Sequence, residues 1–291
     1  MKILVLGGTR FFGAHLVKSL IVEGHNVIVA TRGNSDFAFQ GQAQFEKADR
    51  NNLDDLKRLA ELEPFDLIYD QVCMSAKNAN DACTAFKGKC KRYIFTSTGS
   101  VYDPENDLEL SEELFDHKHY PIKLEDTDPY DYQEAKRQAE AVFSQTASFP
   151  VVMVRFPHVI GQDDYTHRLK FHIDAIKNGK EIYFPSFSSR LGFIQSHVAG
   201  QFLNYIGKQS FTGAVNAVGT GYISMADLVA MIEQKTGKKA VIASVATEAN
   251  HSPFGFSTDF MMPNQKARSL GFQFDSLTQY LPELIDWYAK S

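Results

Sequence analysis

Ile3-Leu4-Val5-Leu6-Gly7-Gly8-Thr9-Arg10-Phe11-Phe12-Gly13 is the stretch whose reading decides the fold. Its apolar run, Ile3–Leu6, ends on two glycines, and a mixed apolar segment, Phe11–Leu20, follows at once. That pattern predicts a buried strand, a tight turn and a helix. Gly7 and Gly8 permit backbone angles that a Cβ forbids, so the turn can be sharp. Gly13 falls where the helix meets the strand, and its missing side chain allows close approach. The first-turn amides of a helix have no partners inside it, and the helix dipole is positive at that end. A pyrophosphate satisfies both, so Gly7, Thr9, Arg10, Phe11, Phe12 and Gly13 are the candidate phosphate end of a dinucleotide site. The usual spacing of such a turn puts a further glycine at position 10, where this chain has Arg10. Glycine turns also follow first strands in proteins that bind nothing there, so the rest of the chain has to decide.

The 291 residues suffice for one large domain or two coupled ones. A net charge of −5 gives no general reason to expect nucleic acid or an anionic membrane as partner. Three cysteines, Cys73, Cys83 and Cys90, are an odd number without CxxC spacing, which suits a reducing cytosol. No basic-then-apolar leader precedes the first strand and no apolar run approaches membrane-spanning length, so the expectation is a cytoplasmic protein without a membrane partner. The histidine pairs His117/His119 and His167/His172 lack the rest of a ligand set, so no metal is expected.

Downstream, Asn26–Thr31 predicts a second strand rich in β-branched residues, whose end would lie beside an adenosine ribose in a doubly wound sheet. A carboxylate there would bind the ribose 2′-hydroxyl. The chain instead reads Thr31-Arg32-Gly33-Asn34-Ser35, with no acid before Asp36. Arg32, with Arg10 approaching the same group, suits a 2′-phosphate, so NADP(H) is favoured and NAD(H) is the alternative. The other reading of Arg32 is a solvated loop charge. A third strand, Ala43–Lys47, leads to Asp49, which can meet the adenine amine. Asn52–Leu62 and Ser75–Phe86 read as helices, Asp66–Tyr69 and Arg92–Thr96 as the fourth and fifth strands. Strand and helix in alternation mean an α/β fold with a doubly wound parallel sheet and right-handed crossovers. Thr98 falls at the carboxyl edge of that sheet, where ligands bind.

Residues 103–128 carry ten carboxylates against two lysines and read as a solvated loop with one short helical piece. Asp128-Pro129 then predicts a helix start, an N-cap acceptor followed by proline, with Asp131 in the first turn. On that helix Tyr132 and Lys136 lie four apart and share a face. A tyrosine titrates near 10, and a neighbouring ammonium favours the phenolate. Lowering the value to about 7 takes roughly 4 kcal/mol, shared between the lysine and an oxidised nicotinamide. Thr98 can hold the substrate oxygen against that phenol. The pair alone is a weak signal, although Tyr132 is the only tyrosine with lysine four residues on. Order adds weight: glycine turn, hydroxyl at a strand end, then the helix with the pair. Met225–Ile232 reads as an apolar helical stripe of the core.

Taken together these segments resemble the extended short-chain dehydrogenase/reductases of the NAD-dependent epimerase/dehydratase family, over nearly the whole chain. Thr96-Ser97-Thr98-Gly99-Ser100-Val101-Tyr102 is similar to the family's serine-rich segment, with Thr98 at the catalytic hydroxyl, and Tyr132 and Lys136 match its active-site motif. Arg155-Phe156-Pro157-His158-Val159-Ile160-Gly161 resembles the segment that lines the nicotinamide, which makes Pro157 a candidate cofactor contact. Phe193-Ile194-Gln195-Ser196-His197-Val198-Ala199 resembles the segment that returns the chain to the core. The form GGTRFFG is that of atypical members, including chloroplast stem-loop RNA-binding proteins, and Gln71-Val72-Cys73 replaces the small alanines usual beside the cofactor.

The resemblance implies a Rossmann core of residues 1–160 plus about 192–217, and a smaller α/β substrate domain of about 161–191 plus 218–291. It implies catalysis by Thr98, Tyr132 and Lys136, the lysine also binding the nicotinamide ribose. The reaction expected is NAD(P)-dependent oxidoreduction, epimerisation or dehydration at a hydroxyl or keto group of a small substrate, nucleotide sugars included. Tyr165, Arg168, Phe187, Arg190 and Phe193 are expected to wall the substrate pocket. Arg168 or Arg190 would hold an anionic group, or else lie at the surface with its stem on aromatics. The family also implies a homodimer through core helices, the helix with Tyr132 and Lys136 contributing. The alternative is a non-catalytic dinucleotide-binding regulatory or RNA-binding protein on the same fold.

Overall fold

A computed structural model describes residues 1–62, 64–104, 109–124 and 131–290. Its first half alternates β1 (Lys2–Leu6), α1 (Phe11–Val22), β2 (Asn26–Thr31), β3 (Gln44–Lys47), α2 (Leu53–Ala60), β4 (Leu67–Asp70), α3 (Ala76–Ala85), β5 (Tyr93–Thr98), α4 (Tyr132–Thr146) and β6 (Val151–Phe156). The second half continues with β7 (His158–Ile160), α5 (Arg168–Lys177), β8 (Glu181–Ile182), β9 (Arg190–Leu191), β10 (Phe193–Gln195) and α6 (Ser196–Gly207). It ends with β11 (Gly213–Asn216), β12 (Ile223–Ser224), α7 (Met225–Thr236), β13 (Val241–Ile242), α8 (Gln265–Ser269) and α9 (Leu277–Lys290).

Seven strands form one parallel sheet in the order β3-β2-β1-β4-β5-β6-β11. Because successive side chains of a strand point to opposite faces, an unbroken apolar strand feeds two cores. Leu4 and Leu6 join Ile28, Phe95 and Met153 under α2, α3 and α4. Ile3 and Val5 join Val29, Ile94 and Val154 under α1 and α6, against Leu16, Leu20, Phe202 and Ile206. Each such side chain withdrawn from water contributes about 1.5–3 kcal/mol. The strand order reverses between β1 and β4, and the crevice beyond their carboxyl ends is where a doubly wound sheet takes ligands. The glycine turn after β1 and Gln71 after β4 stand at that crevice.

A third apolar cluster, with Leu169, Ile173, Phe193, Leu228, Phe254 and Ile285, packs α5, α7 and α9 around the short strands. The expected stripe on α7 is core, with Met225, Leu228, Val229 and Ile232 buried. Two local expectations are corrected. Residues of the acidic stretch are not simply solvated: Glu112 is buried, and its Oε1 accepts the Asn216 amide of β11 at 2.8 Å. Leu110 and Phe115 on either side are buried too, because their apolar surface joins the third cluster. The helix expected from Asp128-Pro129 starts at Tyr132, with Asp131 as its N-cap accepting from the Gln133 amide; Asp128 and Pro129 lie outside the described residues. Among the described residues no helix is long and apolar enough to cross a membrane.

Candidate active site

At the head of the crevice Gly7 and Gly8 adopt φ of 95° and 91°, open to glycine and strained for other residues. A Cβ on Gly13 would collide with the Gln71 amide and come within 2.9 Å of the Gly8 Cα, so the helix can approach the turn only as glycine. Phe11 opens α1 at φ 51°, and Arg10, the cap residue, gives the first turn no side-chain bond. Phe11 and Phe12 of that first turn line the crevice. The Thr9 and Ser35 hydroxyls lie 3.0 Å apart and tie the turn to the loop after β2.

Two connected cavities occupy the crevice. The first, of about 620 Å³, is lined by Gly7, Thr9, Arg10, Arg32, Asp49 and Arg50. Arg10 and Arg32 form no ion pair among the described residues. Beneath them Arg50 is locked to Asp70 through Nε and Nη2 (2.9 and 2.6 Å), and the Tyr93 hydroxyl donates to the same carboxylate oxygen at 2.6 Å. This buried trio, which sequence reasoning missed, holds the end of β4 against β5. Spacing gives no hint of it, since Arg50 lies 20 residues before Asp70.

The second cavity, of about 270 Å³, is lined by Thr98, Ser100, Tyr132, Lys136, Pro157, His158 and Arg168. Phe11, Phe12, Gln71, Met74 and Tyr165 border both cavities and form the throat between them. Register explains the convergence: Thr98, last residue of β5, pairs with Phe156 of β6, so the strand-end hydroxyl and Pro157-His158 meet at one edge. Thr98 Oγ1 also accepts the Ser100 amide at 3.1 Å. Lys136 is 3 % exposed, and its Nζ donates to the carbonyls of Cys73 (2.8 Å) and Thr96 (2.9 Å). It sits 6.0 Å from the Tyr132 ring centre. Burial lowers the Lys136 pKa.

Desolvation pushes the Tyr132 phenol above the ordinary tyrosine range, and the bond to the Thr98 hydroxyl opposes that only in part. Although the residue as a whole is 47 % exposed, its hydroxyl is desolvated and bonds the Thr98 side chain. Lys136 spends two of its three donors on backbone carbonyls.

Behind this edge, Arg155 and Glu140 are each 0 % exposed and paired through Nη2 at 2.6 Å and Nε at 3.0 Å. Arg155 Nη1 donates to the Tyr102 hydroxyl at 2.9 Å, which in turn donates to Asn216 at 2.7 Å. The network links α4, β5, β6 and β11 one helical turn behind Lys136.

Among the expected pocket residues, Arg168 and Tyr165 line the second cavity. Arg190 does not: its Nε donates to Asp259 Oδ2 at 2.8 Å, Nη2 reaches the same oxygen, and its backbone amide takes Oδ1 at 2.7 Å. Phe193 is buried in the third core cluster, and Phe187 packs on Phe184 rather than lining the cavity. Their places are taken by Phe256 and Phe260, which no local pattern singles out. Among the described residues no group of His, Cys, Asp and Glu is placed to hold a metal ion.

Comparison with known proteins agrees with this architecture. A curated relative, the chloroplast stem-loop binding protein of 41 kDa b from Arabidopsis thaliana, is 28% identical over 240 residues. The match takes in 77% of this chain but only 60% of that protein's length. Among solved structures, UDP-glucose 4-epimerase of Thermotoga maritima with UDP-glucose superposes at a TM-score of 0.75 and 18% identity, covering 100% of this chain and 98% of that one. The dTDP-glucose 4,6-dehydratase of Bacillus anthracis in complex with NAD gives 0.76 and 17%, covering 100% and 97%. At those identities the likeness is one of fold. The model of the NAD dependent epimerase/dehydratase family matches residues 3–191, from the first strand through the site just described. With that match over well more than half of the sequence, the chain belongs to the NAD-dependent epimerase/dehydratase family.

Proposed function

We propose that this protein is a nicotinamide-dependent oxidoreductase, epimerase or dehydratase acting at a hydroxyl or keto group. The observation that carries the reading is the meeting of Thr98, Tyr132 and Lys136 at one end of a crevice whose other end is the open glycine turn. The residues present fit a dinucleotide: the glycine turn lines the first cavity, and the first turn of α1, without a side-chain cap, borders it. Arg32 and Arg10, with no carboxylate at the end of β2, support a 2′-phosphate and hence NADP(H) over NAD(H), while Asp49 suits the adenine amine.

When bound, the cofactor supplies or takes the hydride at the reacting carbon. Tyr132 gives its proton to the carbonyl oxygen as that carbon receives the hydride, which yields the alcohol and leaves a phenolate to be reprotonated from water. A phenol that keeps its proton at neutral pH suits this acid role. Thr98 orients the oxygen, and Lys136, fixed by two carbonyls, places a positive charge behind the ring. We assign the third core cluster, around α5, α7 and α9, to a substrate-binding lobe.

Tyr132→Phe tests the reading. Turnover should fall by about 10²–10⁴ while titration with NADPH keeps its wild-type dissociation constant; unchanged turnover rules out the assigned role. The name of the curated relative supports a second reading, stem-loop RNA binding. A net charge of −5 argues against it. Stem-loop RNA affinity that falls steeply with salt and ignores Tyr132→Phe, without carbonyl turnover, would favour that reading instead.

A further inference from the structure

Resting on the enzymatic reading, we propose that the second cavity accepts a compact monoanion, a keto or hydroxy acid with a flat apolar body, rather than a nucleoside diphosphate sugar. The two arginines expected to hold a substrate anion have different fates. Arg190 is committed to Asp259, which accepts from its Nε, its Nη2 and its backbone amide. That pair has another job. The Phe260 amide donates to the Arg190 carbonyl at 2.8 Å, so the ion pair fastens the segment bearing Phe260 along β9. A residue placed to meet phosphate instead anchors an apolar wall.

The wall itself selects a flat body. The Phe256 and Phe260 rings stack at 4.6 Å with an interplanar angle of 16°. The His158 ring meets Phe256 edge-on at 5.7 Å. Burial holds that imidazole neutral, with its pKa pushed down to about 3. A neutral ring among phenylalanines adds hydrogen-bonding capacity without charge.

Besides Lys136, whose ammonium is held by two backbone carbonyls, one cation on this cavity makes no ion pair among the described residues. Arg168 opens α5, places Nη1 3.3 Å from the Thr166 hydroxyl, and lies near enough to act electrostatically on both Tyr132 and His158. Its guanidinium suits a single carboxylate by bidentate bonding. The cavity, about 270 Å³, must also take the nicotinamide end of the cofactor beside Tyr132 and Lys136, which leaves less than the roughly 300–1,000 Å³ of pockets for drug-sized ligands. A diphosphate with a sugar and a nucleoside would need more cationic partners and more room.

The test uses phenylpyruvate and phenylglyoxylate, their methyl esters, UDP-glucose and UDP-glucuronate. Each is assayed for NADPH and NADH oxidation and, separately, for a rise in the unfolding temperature of the full chain. Expected are turnover and stabilisation by the keto acids, with kcat/KM at least about tenfold above the esters, as a charged hydrogen bond of about 1.5–3 kcal/mol implies. Arg168→Leu should abolish that preference through KM rather than kcat, and Arg168→Lys should restore part of it. The unfolding temperature of each variant without additive verifies its fold. Equal handling of acids and esters overturns the proposal, as does preferential binding or turnover of either nucleotide sugar. Failure of the keto acids both to bind and to react also overturns it. Direct NADPH titration separates this from failure of the enzymatic reading: if the dinucleotide does not bind, that reading falls, whereas keto-acid stabilisation lost in Arg168→Leu still supports the monoanion site.

Discussion

Replacing Glu140 by glutamine should destabilise the fold far more than one atom's change suggests. Glu140 and Arg155 are both 0 % exposed, and two guanidinium donors, Nε at 3.0 Å and Nη2 at 2.6 Å, converge on the carboxylate. Ser97 Oγ donates to the same group at 2.5 Å. In Glu140→Gln the volume is kept, but the guanidinium loses its counter-charge and the new amide turns donors toward donors. Breaking a buried pair on one side costs about 3–5 kcal/mol, because the remaining charge is left without compensation. At about 2 °C per kcal/mol for a large chain, the unfolding temperature should drop by roughly 6–10 °C. Urea unfolding at pH 7 measures the free energy and differential scanning calorimetry the temperature. The double variant Glu140→Leu/Arg155→Met removes both charges. It deprives the Ser97 hydroxyl and the Glu112 carbonyl of their partners, at about 1–3 kcal/mol each, yet should be more stable than Glu140→Gln. A Glu140→Gln protein within about 1 kcal/mol of wild type, or a double variant costing the sum of its parts, would refute the reasoning.

Two further outcomes follow from the same geometry. Arg32→Leu should weaken NADPH by roughly 10–100-fold and leave NADH nearly unchanged in fluorescence titration; an unaltered NADPH-to-NADH ratio removes Arg32 from the 2′-phosphate site. Stability should also fall on acidification through His172, which is fully buried with its pKa depressed to about 4. Its Nδ1 must donate to the Arg168 carbonyl at 2.9 Å, so Nε2 accepts from the Ser252 hydroxyl at 2.7 Å, and a second proton would break that bond. The native state thus binds fewer protons than the unfolded one below the ordinary histidine value. Stability present above about 6.5 is lost as pH falls through about 4, by roughly 3 kcal/mol. In His172→Gln, urea unfolding between pH 7 and 4 should show a shallower decline; an unchanged slope would assign the acid sensitivity elsewhere.

The first five strands could be placed from the sequence to within a few residues because strands of a parallel sheet are short, mostly apolar runs, and glycine and capping residues punctuate them. Asn52 and Ser75, for example, accept first-turn amides at the starts of α2 and α3. The pairing of Tyr132 with Lys136 is equally local, since helix geometry alone puts residues four apart on one face. Arg190 shows the limit. Its charge and aromatic surroundings suggested an anion site, but its partner lies 69 residues away at Asp259, and no local pattern reveals a counter-ion brought in by a loop. The acidic stretch misled for a related reason: Glu112 is buried because the Asn216 amide of β11, 104 residues on, is there to receive it.

What the sequence by itself determined is the part governed by backbone periodicity and steric freedom. That part comprises the alternation of strands and helices, the glycine turn that only small residues can form, and the hydroxyl, tyrosine and lysine set in order along the chain. The tertiary structure alone decided the ionisation and the company of those groups. Desolvation raised the Tyr132 phenol, the carbonyls of Cys73 and Thr96 claimed Lys136, and Asp259 paired with Arg190. The physical reason is that conformational preference acts between neighbours in sequence. Burial, charge pairing and pocket shape depend on groups that become neighbours only when the sheet is assembled.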